Sequence, residues 1–168
     1  LRALQTDMDT GVASPEAFLE YVEKKLSEHA LKGRSVVMLN IHNFKYVNKL
    51  LSYSEGDKVL WEYANRVKSL LDPDDCIARL GGDNFVLITD SSRLHFLFQT
   101  LGDFHLTYVS RGEQTEFQFG MTAGYGFLDE IQEPTDAMAI CSVAYQAARH
   151  KGAGSVVRFS EEVQQEVL

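Results

Sequence analysis

The stretch "RLGGDNF", residues 79–85, puts a carboxylate and an amide beside two glycines, between apolar runs at 76–80 and 85–89. Glycine takes positive φ without steric cost, so Gly81-Gly82 between two strands is a strong hairpin signal. Taken alone, the tripeptide Gly81-Gly82-Asp83 reads as a plain turn, because turns use these residue types routinely. A carboxylate at a hairpin tip nevertheless leaves the sheet at its end, where it can reach a ligand.

A second group lies in "LNIHNFKYVNKLLSYSEGD", residues 39–57. Asn40 and His42 close a buried apolar run, and Lys45, Asn48 and Asp57 follow at helix-and-loop spacing. A lysine near a strand end can meet a phosphate. An Asn with an Asp can read the edge of guanine: the carboxylate accepts from the ring N–H and the amino group, and the amide both donates and accepts. The plain alternative is a solvated helix face with Asp57 as an N-cap, and these residues by themselves favour it. His42 reads by default as a hydrogen-bonded histidine at a strand end rather than a metal ligand.

These groups need elements to hold them. Ser14-Pro15-Glu16 reads as an N-cap, a proline at the first helical position and an acid in the first turn. The helix behind it has Phe18, Leu19, Val22 and Leu26 on one face and fades near His29. Residues 36–41 form an apolar run broken by Asn40, the pattern of a central strand buried on both faces. A short helix is expected from about Asn43. A longer one is expected from Asp57, with Val59, Leu60, Tyr63, Ala64, Val67, Leu70 and Leu71 inward, stopped by Asp72-Pro73-Asp74. The Gly-Gly hairpin follows, then a helix at 91–101, strands at 104–109 and 117–127 around a polar loop at 110–114, a helix at 135–150, a strand at 155–159 and a helix from 160. The order α-β-α-α-β-β-α-β-β-α-β implies an α+β fold, a mixed central sheet flanked by helices.

The chain has 168 residues, 45% of them apolar, which suits one domain with a full core. No apolar run approaches membrane-spanning length. A net charge of −8 argues against broad binding to nucleic acid or to anionic membranes. It leaves room for a nucleotide held by a few local donors and a metal. Cys76 and Cys141 have no CxxC or Cys/His spacing and read as buried thiols of a cytoplasmic protein. The start without Met reads as that of an excised piece. Residues 1–160 are expected to form the domain, and 161–168 the start of a linker helix to a following domain.

Taken together, the motifs resemble a GGDEF domain, the module of bacterial diguanylate cyclases. "DMDTGVASPEAF" resembles the opening D-x-L-T-G-L-x-N-R-x-x-F, matching at Asp7, Thr10, Gly11 and Phe18, with Ser14-Pro15 for Asn-Arg. "NIHNFKYVNKLLSYSEGD" resembles D-I-D-x-F-K-x-x-N-D-x-x-G-H-x-x-G-D, matching at Ile41, Phe44, Lys45, Asn48, Gly56 and Asp57. "RLGGDNF" resembles R-x-G-G-D/E-E-F, "MTAGYG" a strand of the form S-x-G-x-x, and "AYQAARHKGAGSVVRF" the closing A-L-Y-x-A-K-x-x-G-R-N-x-V.

The resemblance implies a sheet like the palm of polymerases and class III nucleotide cyclases. It also implies two domains facing each other as a dimer and joining two GTP molecules into cyclic di-GMP. Mg²⁺ ions would bridge the triphosphate and activate the 3′-hydroxyl. Carried over residue by residue, Asp83 stands at a catalytic and metal position, the Ile41 carbonyl at another metal position, and the Asn40 amide oxygen at a third as a weak, uncharged ligand. Lys45 is a phosphate contact, Asn48 and Asp57 read guanine, Gly81 and Gly82 form the signature turn, and Arg149 stands at the phosphate lysine.

The departures fall on the chemistry. Asn40 stands where the family has a metal-ligating Asp, His42 at the second Asp, and Asn84 at the Glu proposed to assist catalysis. At an effective dielectric of about 20, each carboxylate lost at ~4 Å removes roughly several kcal/mol of attraction to a dication before desolvation. An amide cannot act as a base at neutral pH. Ala153 replaces a phosphate-contacting Arg, and Tyr53 stands in the family's Gly-His and could crowd the nucleotide. The R-x-x-D window of product inhibition keeps Asp75 but has Asp72 for its Arg.

The expectation is a degenerate GGDEF domain of cyclic di-GMP signalling, unable to make cyclic di-GMP, with Mg²⁺ weakly held or absent. It would bind GTP or a related guanine nucleotide as a regulatory module for a fused EAL phosphodiesterase or sensor domain. An active cyclase with unusual ligands and a nucleotide-free dimerisation scaffold are the other two readings. An assay for cyclic di-GMP and a GTP titration separate the three.

Overall fold

The structure, a computed structural model, describes residues 5–168; the first four residues of the expected domain lie outside it. A six-stranded mixed sheet runs in the order β2-β3-β1-β5-β4, with β6 also beside β5. The strands are β1 (Arg34–His42), β2 (Cys76–Gly81), β3 (Asn84–Asp90), β4 (Phe104–Ser110), β5 (Glu113–Phe127) and β6 (Val156–Arg158). The helices are α1 (Pro15–Ser27), α2 (Lys45–Leu50), α3 (Tyr53–Leu70), α4 (Leu94–Gly102), α5 (Pro134–Lys151) and α6 (Glu161–Val167). All ladders are antiparallel except the one between β5 and β6, so the expected α+β architecture holds.

The apolar run of β1 is what makes it central. Successive side chains point to opposite faces. Val37, Leu39 and Ile41 join one core with Val47 of α2, Val59, Leu60, Tyr63, Ala64 and Val67 of α3, and Leu94, Leu97 and Leu101 of α4. Val36 and Met38 join the other, with Phe18 and Val22 of α1 and Ala137 and Cys141 of α5. Full burial of each such side chain is worth about 1.5–3 kcal/mol, which fixes the strand in the middle of the sheet.

Ser14 caps α1, its Oγ accepting from the Ala17 amide, with Pro15 at the first helical position. Leu19 is 36% exposed, so it leaves the apolar stripe expected for α1 and Phe18 and Val22 carry the burial. The α3 helix starts earlier than expected: Ser52, not Asp57, is its cap, accepting from the Glu55 amide at 3.3 Å. Tyr53 to Gly56 are therefore helical, and Asp57 is left free on the exposed side. Asn43 takes positive φ (69°), and α2 begins two residues later. The polar stretch 110–114 is not a loop. Arg111 and Gly112 both take positive φ, 52° and 80°, and make a two-residue turn from which β5 starts at Glu113.

Val163 and Val167 of α6 pack on the cluster of Ala147, Ala148 and Val157. Cys141 is buried and Cys76 half-buried, both free, and burial pushes their thiols up to about 12 and about 11. No helix among the described residues is long and apolar enough to cross a membrane.

Candidate functional site at the signature turn

The ladder between β1 and β3 sets Asn40 opposite Asn84, at the end of the sheet where the Gly-Gly turn lies. Gly81 and Gly82 have φ of 135° and 52°, the left-handed backbone that favours glycine. The turn is closed against β1 by the Ile41 amide, which donates to the Asp83 carbonyl at 3.0 Å. The side chains above it form one chain of hydrogen bonds. Asn40 Nδ2 donates to Asp83 Oδ1 at 2.8 Å and to Asn84 Oδ1 at 3.0 Å. Asn84 Nδ2 donates in turn to the Gly81 carbonyl at 3.3 Å. Both amide orientations follow from their partners: reversing Asn40 would set three oxygens against one another. Asp83 brings the one carboxylate of these three side chains.

His42, two residues on along β1, binds Thr122 Oγ1 through Nε2, and that hydroxyl also accepts from the Gly154 amide at 3.2 Å. Burial holds the imidazole below its usual pKa, against the pull of the Asp83 charge. His42 is thus the hydrogen-bonded strand-end histidine that its position suggests.

Helix α5 brings two more groups to this end. It lies directly on β5: a Cβ on Gly124 would come within 2.0 Å of the Tyr145 backbone nitrogen, so only glycine permits the approach. Burial raises the Tyr145 pKa, the Arg149 charge lowers it and the Asp83 charge raises it, which places both charges around one ring. Arg149 itself is exposed in the last turn of α5, free to meet an anion.

The residues expected to contact the nucleoside sit on the neighbouring helices. Lys45 opens α2 three residues past the end of β1, and it is exposed. Asn48 is exposed and packs on α3, its Oδ1 lying where a Cβ on Gly56 would clash at 2.2 Å. That contact sets Asn48 beside Asp57, the next residue along and also exposed. Tyr53 is 80% exposed and points to solvent, so it is not packed across these side chains.

Three residues here carry no role in the sequence reading. Arg79 donates through Nε to the Gly82 carbonyl at 2.9 Å and through Nη1 to Asp9 at 2.9 Å and Asp7 at 3.3 Å, tying the opening loop to the turn. Asp7 Oδ2 also accepts from the Thr10 amide and hydroxyl. Tyr145 was signalled by its i, i+4 spacing to Arg149, and Thr122 by nothing local, since it is the register partner of Asn40 across β5.

In the R-x-x-D window, the Asp75 side chain is fully buried and spent on the fold. Its carboxylate accepts from Arg34 at 2.6 Å, Thr89 Oγ1 at 2.8 Å and the Asp72 amide at 2.9 Å. The cavity of about 610 Å³ between α3 and β2 is lined by Asn65, Lys68, Asp72, Asp75 and Cys76 among others, and shares no residue with the turn.

Comparison with known proteins agrees with this geometry. The chain is 30% identical over 124 residues to the cyclic di-GMP phosphodiesterase PdeB of Shewanella oneidensis, covering 70% of this chain and 14% of that protein. It is 27% identical over 160 residues to the diguanylate cyclase DgcP of Escherichia coli, covering 87% and 45%. The chain therefore spans less than half the length of either relative. Among solved structures, the GGDEF domain of DgcB from Caulobacter crescentus, in complex with c-di-GMP, superposes with a TM-score of 0.74 at 20% identity over 92% of each chain. The sequence profile of the family described as "Diguanylate cyclase, GGDEF domain" matches residues 4–155, and so the glycine turn, the β1 end and the α5 helix are those of a chain that belongs to the GGDEF family.

Proposed function

We propose that this domain is a non-cyclising GGDEF module that binds GTP or a related guanine nucleotide and reports its binding to a neighbouring domain, an EAL phosphodiesterase or a sensor in the same protein. The observation that carries this reading is the Asn40 amide, which donates to both Asp83 and Asn84 where cyclisation needs charged oxygens. Neither asparagine can take a proton from a 3′-hydroxyl at neutral pH. The exposed Lys45, Asn48, Asp57 and Arg149 keep the chemistry for phosphate and guanine, which favours a binding module over an empty scaffold. The family's relatives include both cyclases and phosphodiesterases, and a fused phosphodiesterase is a natural recipient for a nucleotide signal.

The test has two arms. The chain is incubated with GTP and Mg²⁺ or Mn²⁺ and the mixture chromatographed; no cyclic di-GMP is expected, and its appearance makes the domain an active cyclase with unusual ligands. GTP is then titrated calorimetrically against the chain and against Asp57→Ala. Heat in the first and a weakened response in the second are expected. No heat in either leaves a nucleotide-free interaction or dimerisation scaffold.

A further inference from the structure

The residues at the turn do not fit a pair of divalent cations. Mg²⁺ takes oxygen ligands and favours carboxylates. Here one oxygen of the half-buried Asp83 carboxylate, Oδ1, is taken by an N–H of Asn40 at 2.8 Å. The second N–H of the same amide is satisfied by Asn84 Oδ1, and Asn84 is anchored by the Gly81 carbonyl. The network is complete as it stands: each Asn40 hydrogen has an acceptor, and the carboxylate has a donor. An Asp at position 40 would remove both donors and set two carboxylates against each other, an arrangement that only a cation or a proton relieves. A Glu at position 84 would remove the donor to the Gly81 carbonyl. The two asparagines are therefore matched: an Asp at 40 would take the donor from Asn84 Oδ1, and a Glu at 84 would give up the bond to the Gly81 carbonyl.

We propose that Asn40 and Asn84 form an internal amide lock that takes the place of a cation at Asp83, so that this domain keeps its turn, and its guanine-nucleotide contacts, without metal. The nucleotide half of this inference rests on the proposed function; the lock does not. Asp83 is held by hydrogen bonds instead of by ligation, and a neutral donor faces its carboxylate, so the turn has one negative charge and no carboxylate–carboxylate repulsion for a cation to relieve. The lysine and arginine left at the site, Lys45 and Arg149, are the cations available to a triphosphate.

Mn²⁺ alone is titrated into the 168-residue chain and free Mn²⁺ read by electron paramagnetic resonance, with thermal unfolding followed in EDTA and in Mn²⁺. The wild-type chain is expected to leave Mn²⁺ free and to unfold at one temperature in both media. Asn40→Asp is expected to bind Mn²⁺ at least about tenfold more tightly, since a carboxylate is added beside a carboxylate, and to melt lower in EDTA than in Mn²⁺. Wild-type uptake of Mn²⁺ that matches the variant, or is lost in Asp83→Asn, overturns the lock. Should Asn40→Asp fail to fold, the wild-type and Asp83→Asn titrations still decide. GTP binding that persists in EDTA is expected; binding that demands Mg²⁺ overturns metal independence. Absence of GTP binding in both media removes the functional reading alone, because the Mn²⁺ titration uses no nucleotide.

Discussion

Replacing Asp75 by Ala separates two accounts of the R-x-x-D window. If the aspartate were a ligand-binding residue, its truncation would leave stability within about 0.5 kcal/mol, as surface changes do. The structure makes it a buried brace instead. Its carboxylate is fully buried and joins the start of β1, through Arg34, to β3 through Thr89 and to the turn after α3 through the Asp72 amide. Removing one partner of a buried pair costs about 3–5 kcal/mol because the other charge is stranded. Arg34 keeps the Tyr21 hydroxyl at 3.1 Å and the Asp74 carbonyl at 3.5 Å, so the lower end, about 3 kcal/mol, applies. At about 2–4 °C per kcal/mol for a domain of this size, the midpoint should fall by roughly 6–12 °C. Asp75→Asn, which keeps an acceptor for Thr89, should fall between wild type and Asp75→Ala. Thermal and urea unfolding followed by circular dichroism measure both variants. A loss below about 1 kcal/mol for Asp75→Ala would refute the bracing role.

Tyr63 is buried among Phe85, Phe104 and Phe119, and its hydroxyl has no partner among the described residues. Burial alone lifts that phenol far above its usual pKa. Tyr63→Phe removes the orphaned group and should stabilise the chain by about 1 kcal/mol in the same unfolding assay. Asp136 accepts from the Glu133 and Gln132 amides at the start of α5, and those bonds lower its pKa below the ordinary 3.8. A depressed folded-state pKa gives stability that is present above 3.8 and lost as pH falls through the folded value. Asp136→Asn should therefore unfold at lower urea than wild type at pH 7, with the gap closing in acid.

Much of the scaffold is legible because local and global signals coincide. The apolar run of β1, the Ser14-Pro15 start of α1 and the Gly-Gly hairpin each follow from residue types alone, and each stands where it was expected. The failures have physical causes. Asp57 is a good capping residue, but Ser52 lies five residues earlier, and Gly56 is tolerated in the helix because Asn48 packs on it. Residues 113–116 are polar because they lie on strand positions open to water, and the two-residue turn at Arg111-Gly112, not polarity, decides where β5 begins. In the site, the positions of Asn40, Asp83 and Asn84 came from motif spacing. Their mutual bonding did not, since it depends on a register between strands 43 residues apart. Arg79 was hidden for the same reason: its carboxylate partners, Asp9 and Asp7, are 70 and 72 residues away.

The energetics of the turn explain why amides suit it. Two carboxylates about 3 Å apart at an effective dielectric near 20 repel by roughly 5 kcal/mol, comparable to the low end of a domain's total stability. A chain with Asp at position 40 must offset that repulsion with a bound cation or a proton when it is folded. With Asn40 the same contact becomes a hydrogen bond to a charged acceptor, worth about 1.5–3 kcal/mol in the opposite direction. The substitution thus turns a site that depends on an ion into one that supports the fold by itself. Asn84 completes the change, since its amide accepts from Asn40 and donates to the Gly81 carbonyl without adding charge. What the turn gives up is charge at the place where a dication and a 3′-hydroxyl would be activated. What it retains is geometry, the strand end and the hairpin, and Lys45, Asn48, Asp57 and Arg149 stay exposed on the helices. Binding needs that geometry and catalysis needs the charge as well, so the two functions can be lost separately.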